Sequence, residues 1–189
     1  MSTPIYIVSG LPRSGTSMMM KMLEAAGIDP VTDGIRSADD DNPKGYYEFE
    51  AVKRMKEDAS WVPESRGKVV KVISQLLQDL PDNESYKVIF MRRDLEEVLA
   101  SQKKMLVNRE EEDDTSNDSM KSTFAAHVEE VEAWMRISKH VDVLFVSYNR
   151  MQSDSDKQIE RVAKFLDTDL DLAAMAKIID PSLYRQRKS

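Results

Sequence analysis

The 189-residue chain contains no cysteine and only two histidines. Without cysteine it has neither disulfides nor a thiol nucleophile, and two isolated histidines are poor material for a zinc site. Long apolar runs are also missing, since no stretch approaches the roughly 18 apolar residues of a membrane-spanning helix. The N-terminal stretch MSTPIYIVSG has no basic region, and its apolar core is too short for a signal peptide. We therefore expect a cytoplasmic protein with no membrane partner.

An excess of basic residues is missing as well. The net charge is −7 and no basic stripe offsets it over most of the chain, which argues against nucleic acid as a partner. Acidic side chains are concentrated in 38–41 and 109–118, whereas the chain ends in the basic stretch YRQRKS. Residues 109–118 lack apolar periodicity, so we predict a solvated, mobile acidic loop there, with an acidic lid over the acceptor as the alternative.

The remaining composition is that of a globular protein. Hydrophobic residues make up 41% of the chain and charged residues 32%, and the length suits one well-buried domain spanning 1–189. Apolar residues keep helical spacing from Thr16 up to Gly27, where the glycine ends the pattern. The same spacing follows a capping-box-like start at Asp94 and is found again over 124–135 and 159–166. Between these helical patterns lie four apolar, partly β-branched runs, at 5–8, 68–73, 87–91 and 141–148. Strands alternating with helices predict a three-layer α/β fold with a mostly parallel central sheet flanked by helices.

The segment SGLPRSGTS, residues 9–17, follows the first predicted strand and opens the first helix. Its spacing, G-x-x-x-x-G-[ST]-[ST], is typical of the phosphate-cradling loop of a P-loop NTPase-like fold, with Thr16 in place of the usual lysine. Gly10 and Gly15 permit the backbone to wrap around an anion, and the helix start adds N–H groups. The pattern predicts a phosphate site, with an ordinary strand-to-helix turn as the alternative.

A missing acidic residue narrows the class of ligand that this loop is expected to bind. A nucleoside triphosphate site needs a magnesium-binding acid at the end of a neighbouring strand. Here KVIFM runs into Arg92 and Arg93, and the last strand ends in Tyr148 and Asn149. Arginines suit a phosphorylated donor that is neutralised by side chains and handled without a metal. A P-loop kinase of a small metabolite is the alternative enzyme.

The loop resembles the 5′-phosphosulfate-binding loop of sulfotransferases, which reads [KR]-[SAG]-G-[TS]-[TS] after the first strand. Arg93 and Ser101 have the spacing of the family's 3′-phosphate-binding arginine and serine, which follow a later strand. The segment 143–167 is similar to a third family segment, which contains a strand, a Tyr-containing turn and a helix ending in Phe-Leu. The chain thus resembles a short, bacterial-type member of the sulfotransferase family.

The resemblance implies that the donor is 3′-phosphoadenosine 5′-phosphosulfate (PAPS), that the product is 3′-phosphoadenosine 5′-phosphate (PAP), and that no metal takes part. Arg13 would contact the phosphosulfate and stabilise charge on the leaving phosphate. Arg93 and Ser101 would hold the 3′-phosphate; a surface cation near Glu96 or Glu97 and a solvent-facing helix serine are the alternatives. The residues implied for the 5′-phosphate are Ser14, Gly15, Thr16 and Ser17.

Two features of many cytosolic relatives are missing. The tryptophan that stacks on adenine is replaced by Met18, and the Lys-Thr-His segment that carries a catalytic histidine corresponds to Lys71-Val-Ile73-Ser. Lys71 would still assist the leaving group, as the matching lysine does in relatives. His127 and His140 are expected to be structural or solvent-facing.

The Gly/Pro-punctuated segment 41–50 contains two candidate bases, Glu48 and Glu50. The resemblance favours Glu48, because some sulfotransferases use a glutamate as the catalytic base. A capping or salt-bridged surface glutamate is the alternative. Arg185 or Arg187 would add a phosphate clamp, unless the tail is a frayed basic end. The missing histidine also leaves open a non-catalytic module that binds a nucleotide or a partner. The sequence predicts that the acceptor group is a hydroxyl or an amine but does not identify the acceptor. It does not indicate the oligomeric state.

Overall fold

A parallel sheet forms the centre of the molecule. The structure, a computed structural model, describes residues 3–34, 47–108 and 117–180, without the side chains of 105–108 and 117. Five strands pair in the order β2-β3-β1-β4-β5, all of them parallel. Their bounds are β1 Ile5–Gly10, β2 Pro30–Val31, β3 Val69–Lys71, β4 Tyr86–Arg92 and β5 Val141–Ser147. The predicted α/β fold with a mostly parallel sheet is confirmed.

Helices cover both faces of the sheet. The α-helices are α1 Thr16–Ala25, α2 Leu95–Asn108, α3 Asn117–Ile137, α4 Tyr148–Ser153, α5 Ser155–Leu166 and α6 Leu172–Ile178. Short 3₁₀ helices occupy Glu50–Arg54, Pro63–Ser65 and Ser74–Asp79. Because alternate residues of a strand point to opposite faces, β1 contributes Tyr6 and Val8 to the core under α1, α5 and α6, and Ile5 and Ile7 to the core under α3. The three layers follow from this alternation.

Three elements differ from the sequence prediction. β2 is only two residues long and begins with a proline, so it carries no alternation that a pattern could reveal. Tyr148 was expected in a turn but begins the six-residue helix α4, where the Ser147 hydroxyl accepts from the N–H of Arg150. α6 is one to two turns long and was not predicted. These elements are too short for periodicity, and packing against longer neighbours stabilises them.

The end of α1 shows why its glycine is needed. Gly27 has a φ of 102°, in the left-handed region. Its N–H donates to the carbonyl of Glu24, and the N–H of Ile28 donates to that of Leu23, both at 3.0 Å. This pair of bonds closes the helix and turns the chain towards β2. The predicted stop at Gly27 is confirmed.

A helix that crosses a membrane must be both long and apolar. Within the residues that the structure describes, no helix is both long enough and apolar enough to cross a bilayer.

Replacement of Gly27 by alanine tests the helix end. A Cβ there would meet nothing within 4 Å, so any loss comes from the left-handed backbone alone. We expect Gly27→Ala to lower the free energy of unfolding by about 1–2 kcal/mol, measured by urea denaturation. Gly27→Asn should lose less, because asparagine adopts this conformation more readily. Equal losses for the two variants would contradict this explanation.

Candidate functional site

The carboxyl ends of the strands bring the predicted site residues to one edge of the sheet. Gly10 at the end of β1 lies opposite Met91 of β4, and Met91 lies opposite Val146 of β5. Lys71 ends β3 beside Val8 of β1. The loop after β1, the start of α2 and the start of α4 therefore leave the sheet at neighbouring positions. In an open parallel sheet this edge is where ligands bind.

The loop between β1 and α1 is a compact turn. Its left-handed residues are Gly10, Arg13 and Gly15, with φ values of 146°, 68° and 94°. Ser14 is buried, and both its N–H and its hydroxyl donate to the carbonyl of Leu11, at 3.2 and 2.7 Å. The hydroxyl of Ser14 therefore supports the loop. Its predicted contact with a phosphate stays a prediction.

Both glycines of the loop lie against other elements. A Cβ on Gly10 would lie 2.5 Å from the carbonyl oxygen of Met91 and 2.6 Å from the hydroxyl of Ser14. A Cβ on Gly15 would overlap the ring of Tyr148. Only glycine therefore lets the backbone approach β4 and Tyr148 so closely. The result is a tightly packed cradle that lies directly against β4 and Tyr148.

The start of α1 and the end of β3 add positive charge to the cradle. The first N–H groups of an α-helix have no acceptor within the helix, and the helix dipole makes this end positive. The Lys71 ammonium donates to the hydroxyl of Ser17, in the first turn of α1, at 3.3 Å. A lysine from a neighbouring strand thus reaches the helix start, although Thr16 occupies the position of the usual loop lysine.

The two predicted phosphate-binding motifs are in direct contact. Arg13 Nε donates to the hydroxyl of Ser101 in α2 at 3.0 Å, across 88 residues of sequence. Ser101 is 7% exposed, so it is not the solvent-facing serine of the alternative interpretation. The contact places the Arg13 side chain between the loop that was predicted to bind one phosphate and the helix that was predicted to bind the other.

Arg93 is buried beside the loop. Its side chain is 7% exposed, so it is not the surface cation of the alternative interpretation. Nη1 donates to the carbonyl of Arg13 at 3.1 Å, and the guanidinium carbon lies 4.6 Å from the centre of the Tyr148 ring. Nε donates to the carboxylate of Glu97 at 2.9 Å. Arg93 is therefore held by the loop, by α4 and by α2, which follows it.

Glu48 lies outside the sheet and contacts the residues just after β2. Its carbonyl oxygen accepts from the hydroxyl of Thr32 at 3.0 Å and from the N–H of Asp33 at 3.4 Å. These contacts attach the segment to the residues after β2, and β3 separates β2 from β1. The role of Glu48 as a base stays a prediction. Arg185, Arg187 and most of the acidic segment 109–118 lie outside the described residues; the last two residues of that segment begin α3.

The two histidines make contacts with neighbouring side chains. His127 Nε2 lies 2.9 Å from the hydroxyl of Ser74, which is fully buried after β3. The ring of His140 packs edge-on against Tyr86 and Trp134, with ring centres 6.0 Å apart in both pairs. These contacts agree with the structural roles expected from the sequence.

Three side chains of the site had no predicted role: Glu97, Tyr148 and Asn149. Glu97 follows Arg93 by four residues across the start of α2, and opposite charges at this spacing are a sequence signal for an ion pair. Tyr148 and Asn149 reach the site because β5 pairs with β4. No local pattern reveals that pairing.

The family follows from the whole sequence. The family model described as "Sulfotransferase domain" matches residues 4–189, nearly the full length. The chain belongs to the sulfotransferase family. The resemblance seen in the loop and in the Arg93 motif is confirmed by this match. No curated protein matches the sequence significantly.

Solved sulfotransferases have a similar fold. Mouse sulfotransferase SULT7A1, in complex with PAP, is 18% identical with a TM-score of 0.59, over 98% of this chain and 68% of that one. The sulfotransferase domain of the Synechococcus PCC 7002 olefin synthase is 13% identical with a TM-score of 0.57, over 99% and 85%. STF9 from Mycobacterium avium is 16% identical with a TM-score of 0.53, over 100% and 70%. At these identities the likeness shows the sulfotransferase fold, which confirms the predicted P-loop NTPase-like architecture.

Replacement of Gly10 by alanine tests the packing of the loop in this sulfotransferase. The variant adds a clash with the main chain of β4 to the cost of a positive φ. We expect Gly10→Ala to lower the free energy of unfolding by more than the roughly 1–2 kcal/mol of a left-handed alanine. Gly27→Ala is the matched control, because it has the strain without the clash. Similar losses in urea denaturation would contradict the close approach of the loop to β4.

Proposed function

We propose that this protein transfers a sulfonyl group from PAPS to a hydroxyl or an amine, with no metal. The observation that carries the proposal is the contact between Arg13 of the loop and Ser101 of α2. It brings together, at one edge of the sheet, the two elements that were predicted to bind anions. A nucleotide with a 5′-phosphosulfate and a 3′-phosphate needs two such elements side by side. The complex of mouse SULT7A1 with PAP supports the same class of donor.

The residues at the sheet edge fit this donor. The glycines hold the loop against β4 and Tyr148, and the N–H groups at the start of α1 would face the 5′ end, as in other anion cradles. Lys71 would add its charge at that end, through its position at the first turn of α1. Arg93 and Ser101 would hold the 3′-phosphate, and Arg13 lies between the two ends.

The chemistry follows from charge and position. When bound, the donor supplies a sulfonyl group whose bond to the 5′-phosphate breaks as a bond to the acceptor oxygen or nitrogen forms. Lys71, Arg13 and the start of α1 would stabilise the negative charge that develops on the leaving phosphate. Most of the remaining rate enhancement would come from holding both reactants in place. The acceptor loses a proton, and Glu48 is our proposal for the base that takes it.

Nucleotide binding tests the proposed donor. We expect PAP to raise the melting temperature more than ATP with magnesium does, and Arg93→Ala to weaken PAP binding about tenfold to a hundredfold, because a hydrogen bond to a charged group contributes about 1.5–3 kcal/mol. Binding of AMP, which lacks the 3′-phosphate, should change little. Titration calorimetry measures each dissociation constant.

Arg92→Ala is the matched control for this test. Arg92 lies next to Arg93 but donates to Glu132 at 2.7 Å and stacks on Phe145 at 4.0 Å, so its loss should leave the PAP affinity near that of the wild type. Stabilisation by ATP with magnesium but not by PAP would instead favour a kinase.

The base is tested separately. Transfer is measured as PAP release from PAPS in the presence of a panel of hydroxyl and amine acceptors. We expect Glu48→Gln to lower kcat about a hundredfold or more, the usual contribution of a general base, without weakening PAP binding. Glu50→Gln is the control, because Glu50 pairs with Lys53 at 2.7 Å on the surface. An unchanged kcat for Glu48→Gln would remove Glu48 from the reaction and leave the proposed donor intact.

A further inference from the structure

A buried ion pair lies beside the phosphate-binding loop. Arg93 Nε donates to Glu97 Oε2 at 2.9 Å, and the two side chains are 7% and 4% exposed. Arg93 lies two residues before α2, between β4 and the helix, and Glu97 lies in the first turn of α2. Exposed ion pairs contribute little to stability, but removal of one partner from a buried pair leaves the other charge uncompensated. The carboxylate of Glu97 and the guanidinium of Arg93 therefore hold each other in place.

The same carboxylate is held by a second element. Asn149 Nδ2 donates to Glu97 Oε1 at 3.1 Å. Asn149 belongs to α4, which follows β5, so Glu97 connects α2 with the end of the neighbouring strand. Each carboxylate oxygen thus has a partner on a different element. Two such contacts fix both the position and the plane of the carboxylate.

Two further contacts of Arg93 help to set the direction of its guanidinium. Nη1 donates to the carbonyl of Arg13 at 3.1 Å, and the guanidinium lies over the ring of Tyr148. Tyr148 is itself packed against Gly15, where no side chain would fit. The Arg13 carbonyl and the Tyr148 ring therefore restrict the Arg93 guanidinium on two sides, and Glu97 restricts it on another.

Orientation matters because a guanidinium is planar and binds phosphate through parallel N–H bonds. A long side chain that is already ordered loses less conformational entropy when its ligand binds. We infer that Glu97 is a positioning residue, which orients Arg93 for the 3′-phosphate and is itself fixed by Asn149. The inference rests on the proposed donor and concerns how the protein recognises one of its phosphates.

The test measures recognition of the 3′-phosphate by itself. Calorimetry gives the dissociation constants of PAP and AMP for each variant, and their ratio reports the contribution of the 3′-phosphate. We expect Glu97→Ala to reduce this ratio about two- to tenfold, because ordering one long side chain costs about 0.5–1.5 kcal/mol. The dissociation constant of AMP should stay within about twofold, since AMP does not use Arg93.

A charge-neutral variant separates position from charge. In Glu97→Gln the amide oxygen still accepts from Arg93 Nε, and the amide N–H₂ donates to Asn149 once that side chain turns over. The geometry is kept and a negative charge near the phosphate is removed, so the ratio should equal or exceed that of the wild type. Glu96→Ala is the surface control, because Glu96 pairs with Lys121 at 2.9 Å, and it should leave the ratio unchanged.

Three results would overturn the inference. If Glu97→Ala keeps the wild-type ratio of dissociation constants, Arg93 needs no positioning. If Glu97→Ala loses PAP and AMP affinity equally, Glu97 has a merely structural role. A fall in Glu97→Gln as large as in Glu97→Ala would show that charge matters and position does not. If Glu97→Ala fails to fold, Asn149→Ala decides: we expect its ratio to fall about two- to threefold, and a wild-type ratio overturns the inference.

The proposed function and this inference fail in different ways. A wild-type protein that binds PAP and AMP equally would contradict the proposed donor, and the positioning of Arg93 for it. A wild-type protein that prefers PAP, together with a Glu97→Ala variant that keeps the full preference, contradicts the positioning alone.

Discussion

The parallel pairing of β1 with β4 is the constraint on which the rest of the site depends. It places Gly10 opposite Met91, so the loop after β1 and the start of α2 leave the sheet together. The main chains approach so closely that Gly10 has no room for a side chain. The contact of Arg13 with Ser101 and that of Arg93 with the Arg13 carbonyl both follow from this pairing. A shift of register between the two strands would separate the loop from α2.

The cations at this edge of the sheet are opposite in sign to the net charge of the whole chain. The net charge is −7, yet Arg13, Lys71 and Arg93 all lie at the carboxyl ends of neighbouring strands, next to the positive end of α1. One of these cations is buried with a carboxylate partner, which offsets its desolvation and keeps it in place. The edge thus gathers positive charge on an acidic protein, and its selection of an anionic ligand stays a prediction.

The sequence allowed much of the fold to be predicted, because the long strands are apolar runs and the long helices have clear periodicity. β1 and β4 were found almost to the residue, whereas β2, with two residues, was missed. In the site, the loop and the pair Arg93 and Ser101 could be recognised because fixed spacings within one strand-to-helix unit carry them, and their roles in phosphate binding stay predictions. Glu48 was placed by resemblance alone, and the structure attaches its main chain two strands away from the loop.

By itself, the sequence determined what is local: the glycines that shape the loop, the stop of α1 at Gly27, and the four-residue spacing of Arg93 and Glu97 across the start of α2. The tertiary structure decided which of these pieces meet. Arg13 reaches Ser101 across 88 residues, and Asn149 reaches Glu97 across 52. Local patterns extend over one or two turns of a helix, so contacts of this range are set only when the strands pair and the helices pack.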